Sequence, residues 1–204
     1  LELQHYDPTA DSHMDTAAGW KKGLPLYFID LRDRKIIYFR GYVEGINENI
    51  SPSWTQHNYV GRSEPAWVFE GNTTRDINFT LKLIAQTEDE MDSLQLKLNR
   101  LTSLCYPEYQ SYTVLGVKSN QRMKPPMTKF RLGDYFGANK KELTGFIKSL
   151  NYTVPEESTW SWGQKERAPR YIVATISYQV IHDVVPSITT KFYGHSAVQD
   201  ATNI

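Results

Sequence analysis

Five histidines, one cysteine and a run of carboxylates are the side chains in this 204-residue sequence with the chemistry for metal ligation or acid–base and nucleophilic steps. None of His5, His13, His57, His182 and His195 has a second histidine or cysteine at ligand spacing, so no metal site is expected. His182-Asp183 is the only His-carboxylate neighbour pair, and adjacent residues of an extended strand point to opposite faces. Cys105 is the single cysteine, which excludes an internal disulfide and a cysteine-based zinc site. It falls at the C-terminal end of a predicted helix, where the dipole raises a thiol pKa instead of lowering it. Packing is therefore its expected role. Glu88-Asp89-Glu90 has the look of catalytic carboxylates, but helix capping and the favourable N-terminal dipole already account for it. No glycine-rich phosphate loop, HExxH, GxSxG or EF-hand pattern is present. Nothing pairs a nucleophile with a base, so neither an enzyme nor a cofactor is expected.

Two further constellations suggest binding. Between positions 117 and 131, Lys118, Arg122, Lys124, Lys129 and Arg131 stand without an acid, around Pro125-Pro126. Such a stretch is either a loop contacting DNA or an acidic partner, or a solvated loop kept polar by its charges. The second reading is preferred, because Phe130 is the only aromatic interleaved for base stacking. The formal net charge of zero also argues against a protein built to grip nucleic acid or an acidic membrane. The five tryptophans raise a sugar-binding β-sandwich, with a cleft of Trp54, Trp160 and Trp162. Against it, Trp67 and Trp162 lie in segments expected to be half-buried, and aromatics anchor protein interfaces equally well.

A hydrophobic content of 40% and an aromatic content of 13% suit a folded chain with one generous core. No apolar run is long enough to span a bilayer as a helix, and a reducing cytoplasm is the expected compartment for folding. The first 20 residues are acidic and polar, without the apolar stretch of a signal peptide. The sequence starts at Leu1 and not Met, so that says nothing about what precedes it.

The elements that would position these residues follow from periodicity. In Thr74–Leu83, Ile77, Phe79, Leu81 and Leu83 alternate with Asp76, Asn78, Thr80 and Lys82, the mark of a half-buried antiparallel strand. A helix over about 88–105 follows, capped by Thr87 and Glu90, with Met91, Leu94, Leu98, Leu101 and Cys105 as its apolar stripe. Upstream, Leu26–Leu31 and Ile36–Val43 form a predicted hairpin around Arg32–Lys35. Residues 44–62, broken by Pro52, suit a hairpin arm or interface strand better than a central strand. Trp67-Val68-Phe69 is expected to turn through Glu70-Gly71-Asn72 into the alternating strand. Further strands are predicted at 112–117, 128–132, 143–154 and 170–182. Residues 1–23 and 187–204 read as arms flanking a domain over 24–186. The fold class is mainly β with one long α-helix.

The order of these segments resembles the tail-tube-fold proteins of contractile phage tails, and within them the baseplate hub and tube-initiator proteins. The resemblance is carried by Tyr59-Val60-Gly61-Arg62-Ser63-Glu64-Pro65 with Trp67–Gly71, and by the Arg75–Ala85 strand feeding the Met91–Leu104 helix and Cys105-Tyr106-Pro107-Glu108-Tyr109. Pro125-Pro126-Met127 before Phe130–Gly133, Leu143–Tyr152 as a strand returning beneath the helix, and Pro169–Val173 complete it. It covers roughly residues 25–185, and its motifs are specific in their order more than singly. It departs in the long N-terminal arm, the tail after Val185 and the lack of a LysM-like module. The resemblance implies an antiparallel β-sandwich or barrel packed by a helix, in a non-enzymatic virion protein assembled in the host cytoplasm. It further implies a homo-oligomer, a hexameric ring whose sheets join around a channel passing DNA or a tape-measure protein, docked to other hub and tube proteins. A phage-derived contractile injection machine would use the same part. Tyr59, Arg62, Glu64 and Arg75 are the residues expected at subunit or ring contacts.

Overall fold

The computed structural model describes residues 24–110, 113–114, 117–118, 122–137, 141–161, 167–183, 186 and 192–193. Strands β1 (Leu26–Asp30) and β2 (Ile36–Tyr38) form one hairpin, and β3 (Tyr42–His57) and β4 (Ala66–Ile84) a much longer one. Helix α1 (Glu88–Ser103) comes next. It is followed by the short strands β5 (Glu108–Gln110), β6 (Thr113–Val114), β7 (Val117–Lys118) and β8 (Arg122–Lys124). Strands β9 (Thr128–Leu132), β10 (Leu143–Thr153) and β11 (Tyr171–Val180) complete the chain order. Seven strands make one antiparallel sheet in the order β2-β1-β9-β10-β11-β4-β3, while β5 pairs with β8 and β6 with β7. The protein is thus mainly β with a single helix among the described residues.

The alternating strand behaves as its pattern requires. Ile77, Phe79, Leu81 and Leu83 are buried in the main core, beneath Met91, Leu94 and Leu101 of α1. Thr87 caps the helix: its hydroxyl accepts from the Glu90 amide, and the Glu90 carboxylate accepts from the Thr87 and Gln86 amides. Tyr152 ties β10 to the same helix, its hydroxyl donating to Leu98 O at 3.3 Å. At the centre, the Phe130 ring lies 5.0 Å from Phe28, 5.1 Å from Phe79 and 5.1 Å from Tyr178. A second, smaller cluster of Tyr27, Ile29, Ile36 and Tyr38 buries the other face of the β1–β2 hairpin.

The expected strand Ile36–Val43 is divided in two, and the division rolls the sheet. Tyr38 ends one edge strand and Tyr42 begins the opposite edge strand. The linking backbone can reach only about 14 Å, whereas a flat sheet of this order would be about 29 Å wide. The two edges must therefore curl toward each other. The contacts agree: Phe39 N donates to Leu26 O of β1 at 3.0 Å, while a Cβ on Gly41 would lie 2.6 Å from Lys82 O of β4. Only glycine allows that approach.

Two other expectations are corrected. Glu70-Gly71-Asn72 is no hairpin turn, since β4 runs unbroken from Ala66 to Ile84. The register steps from Pro52↔Thr73 to Trp54↔Phe69, so residues 70–72 bulge opposite Ser53, and Gly71 supplies the positive φ of 83° that the bulge needs. The turn lies instead at 58–65. The predicted strand 112–117 is replaced by the short β6 and β7, with 111–112 and 115–116 outside the described residues. The helix ends at Ser103, short of Cys105.

Gly145 gives a sharp test of the sheet. Its backbone pairs with Thr128 of β9 and Val180 of β11, and an added Cβ would sit 2.0 Å from Gln179 O. Gly145→Ala is expected to lower stability by about 2–3 kcal/mol, the scale of a strained overpacked site, measured by urea unfolding.

Candidate assembly interface

The pairing of β4 with β11 ends at Arg75↔Val180, but the pairing of β4 with β3 continues to His57↔Ala66. From Arg75 outward, β3 and β4 therefore leave the sheet as a two-stranded arm roughly 25–30 Å long at about 3.4 Å per residue. Among the described residues this ribbon has no third strand to bury a face against, so nearly all its side chains are exposed.

Its two faces differ. Directly paired residues share a face, which puts Trp54, Gln56, Trp67 and Phe69 on one side. The Trp54 and Phe69 rings lie 5.0 Å apart, yet each remains about half exposed (53% and 49%). Ile50 and Pro52 extend this stripe along β3 toward the core. On the other side, Glu70 accepts hydrogen bonds from the Ser53 and Thr55 hydroxyls, which hold its carboxyl below the usual range. One face is thus aromatic and without a partner among the described residues, and the other is polar and internally bonded. Trp67, expected to be half-buried, is exposed because its strand lies on the arm.

At the tip, Arg62 N closes the turn on Tyr59 O at 3.3 Å, with Gly61 at a positive φ of 86°. Tyr59, Val60, Arg62 and Glu64 all face solvent. Three of the residues expected at contacts, Tyr59, Arg62 and Glu64, therefore share one exposed loop. Among the described residues, no strand pairs with the outer edge of β3, which leaves a long row of backbone donors and acceptors open.

Arg75 sits elsewhere. It is 2% exposed, and its Nε donates to Glu48 Oε1 at 2.5 Å. Its Nη2 donates to Phe192 O at 3.4 Å, beneath the rings of Phe192 and Tyr193 at 5.9 and 5.5 Å. The Tyr193 hydroxyl donates to Glu48 Oε2 at 2.7 Å, which pushes its pKa up to about 12. Arg75 is thus held at the root of the arm by its own chain. The strand's phase could have signalled this: Arg75 has the parity of Ile77 and Phe79, and a cation in the buried phase needs an internal carboxylate.

The basic stretch expected as one contact loop is divided among elements. Lys129 and Arg131 belong to β9, in the middle of the sheet. Arg131 is buried and donates to Gly133 O, Tyr27 Oη and Asp134 Oδ1. Lys124 is half-exposed on β8, and the side chains of Lys118 and Arg122 lie outside the described residues. Of the proposed sugar cleft, Trp54 is on the arm, Trp160 is exposed in the connection before β11, and Trp162 lies outside the described residues.

Comparison with protein-family models and with curated proteins finds no match to this chain.

Of the residues weighed for reaction chemistry, Glu90 caps α1 and Cys105 packs against the core, while His57 is exposed on β3 and His5, His13 and His195 lie outside the described residues. Burial raises the Cys105 thiol pKa, which works against thiolate formation at neutral pH. His182 has its edge against Phe192, 6.3 Å between centroids, and burial, then the charge of Arg75, hold its pKa below the usual range. Asp183, its neighbour, accepts from the Thr144 hydroxyl at 2.7 Å. Among the described residues, no group of three or more His, Cys, Asp or Glu is placed to hold a metal ion, and no helix is long and apolar enough to cross a membrane.

Proposed function

We propose that this chain is a non-enzymatic structural subunit of a phage tail. In this reading it forms a ring of the baseplate hub or tail tube that nucleates or caps tube assembly around a central channel. The observation that carries the reading is the arm: a two-stranded projection with an exposed aromatic face, bordered by a long strand edge that is unpaired among the described residues. In an isolated chain both features favour uncontrolled association. A closed ring removes the liability, because each subunit's edge and apolar face are covered by a neighbour and cyclic symmetry leaves none free. The motif order from Tyr59 to Val173 supports the specific family, and the rolled sheet backed by one helix is compatible with a sheet that continues into a neighbour's.

The mechanism is templating. One ring presents arms and strand edges, and the next ring docks on them. Hexameric copy number, virion location, docking to other hub and tube proteins, and passage of DNA or a tape-measure protein without sequence-specific binding belong to the same proposal. A phage-derived injection machine would use the subunit identically.

The test is the mass of the purified chain across a concentration series, with negative-stain images of the same samples. Rings, or tubes growing from them, are expected. A monomer at every concentration that also binds a glycan array through its exposed tryptophans would replace this reading with the sugar-binding one.

A further inference from the structure

We infer that Phe192 and Tyr193 form a clamp on the root of the arm, so that the C-terminal segment sets how rigidly the arm projects. The clamp sits where the sheet narrows from β11, β4 and β3 to the two-stranded arm: Arg75↔Val180 is the last pair joining β4 to β11. At that point the clamp engages both strands of the arm. Tyr193 Oη donates to Glu48 of β3, and Phe192 O accepts from Arg75 of β4. Arg75 in turn binds Glu48 across the strands. The clamp also engages the body. The Tyr193 ring stacks on Tyr135 at 4.9 Å and packs on the main core, and Phe192 meets His182. Independently of the clamp, Gln179 Nε2 of β11 donates to Arg75 O at 3.1 Å.

The chemistry explains why a clamp is needed here. Arg75 and Glu48 are an ion pair withdrawn from water at the end of a hydrophobic core, and such a pair holds its geometry only if further groups satisfy it. Tyr193 supplies the remaining hydrogen bond to Glu48, and the two aromatic rings exclude water over the guanidinium. Without them the pair is solvated, and the arm root is held only by the β3–β4 ladder, which is marginal by itself, and by the last β4–β11 pair with its Gln179 bond. An arm fixed in direction loses less freedom on docking than a swinging one. Whatever draws Phe192 and Tyr193 away from the arm root therefore loosens the arm. This device belongs to the single chain and does not depend on the ring reading.

The test is hydrogen–deuterium exchange on the full chain, comparing the original with Tyr193→Phe and with Phe192→Ala/Tyr193→Ala. Tyr193→Phe removes only the hydroxyl bond to Glu48, worth roughly a tenfold or greater change in local opening for a bond to a charged group. Peptides from 48–57 and 66–75 are expected to exchange roughly tenfold faster, and faster still in the double variant, with 77–84 and β11 unchanged. Unchanged arm exchange in Tyr193→Phe overturns the clamp. So does an equal rise in the β10 and β11 peptides, which would make the segment an ordinary part of the core. Should the double variant fail to fold, Tyr193→Phe alone decides, since it keeps the packed ring.

Discussion

A chain carrying Trp54→Thr and Phe69→Thr is expected to stay folded and to lose self-assembly. Both rings belong to the arm's aromatic face, and neither lies in the main core. Within one chain they contribute chiefly their mutual contact, 5.0 Å between centroids, worth about 0.5–1.5 kcal/mol. Threonine retains strand propensity at both positions. Far-UV circular dichroism should therefore be unchanged, and the melting temperature should fall by only a few degrees. Association is another matter. Aromatic anchors at the centre of an interface typically cost 2 kcal/mol or more when truncated. Two such losses, about 4 kcal/mol, move the concentration for half-assembly roughly a thousandfold. Val68→Thr is the control: Val68 is exposed to a similar degree but faces the polar side with Thr55 and Glu70, so assembly should persist. Rings forming normally in the double variant would remove the arm's aromatic face from the interface, and with it the observation on which the proposed function rests.

What could be read without coordinates was whatever short-range chemistry decides. The alternation of Ile77, Phe79, Leu81 and Leu83 and the Thr87–Glu90 box each depend on residues within one turn or one strand, and both appear as expected. The reading of 44–62 as a hairpin arm or interface strand also had a local cause, a polar stretch with Pro52, which is tolerated on an edge strand. Its first part, to Asn49, pairs along the sheet edge, and only the rest projects as the arm. Gly71-Asn72 misled for the converse reason. A positive-φ glycine serves a tight turn and a bulge equally, and only the register against β3 distinguishes them. The roll of the sheet was hidden too, because it depends on β2 and β3 lying at opposite edges while adjacent in sequence. At the candidate interface, Tyr59, Arg62 and Glu64 were placed together because they are neighbours in the chain. Arg75 was grouped with them by charge, although its partners Glu48, Phe192 and Tyr193 come from distant segments.

Asp30→Asn is expected to destabilise the monomer by about 3–5 kcal/mol at neutral pH, the scale of breaking a buried ion pair. The Asp30 carboxylate is 1% exposed and holds two arginines. Arg32 donates to it from Nε, Nη2 and the backbone amide, and Arg100 of α1 donates from Nη2 at 2.9 Å. Arg32, so fixed, donates to Ser103 O and Tyr106 O, satisfying carbonyls where α1 ends. One carboxylate thus docks the helix C-terminus on the β1–β2 turn, and an amide of the same shape cannot balance either cation. The pH dependence carries the same signature. Burial alone pushes the Asp30 pKa up, but the hydrogen bonds from Arg32 and the charges of Arg32 and Arg100 outweigh it, so the folded pKa lies below the unfolded value. The unfolded chain then binds this proton more readily. The stabilisation is complete well above the ordinary aspartate pKa of about 4 and is lost as pH falls through that value toward the folded pKa. Urea unfolding at pH 7, 5, 3.5 and 2 should show the original chain and Asp30→Asn far apart at the first two, with the gap starting to narrow at pH 3.5 and narrower still at pH 2. A gap that stayed constant from pH 7 down to pH 2 would mean that the carboxylate's charge contributes nothing and that Asp30 acts through shape alone.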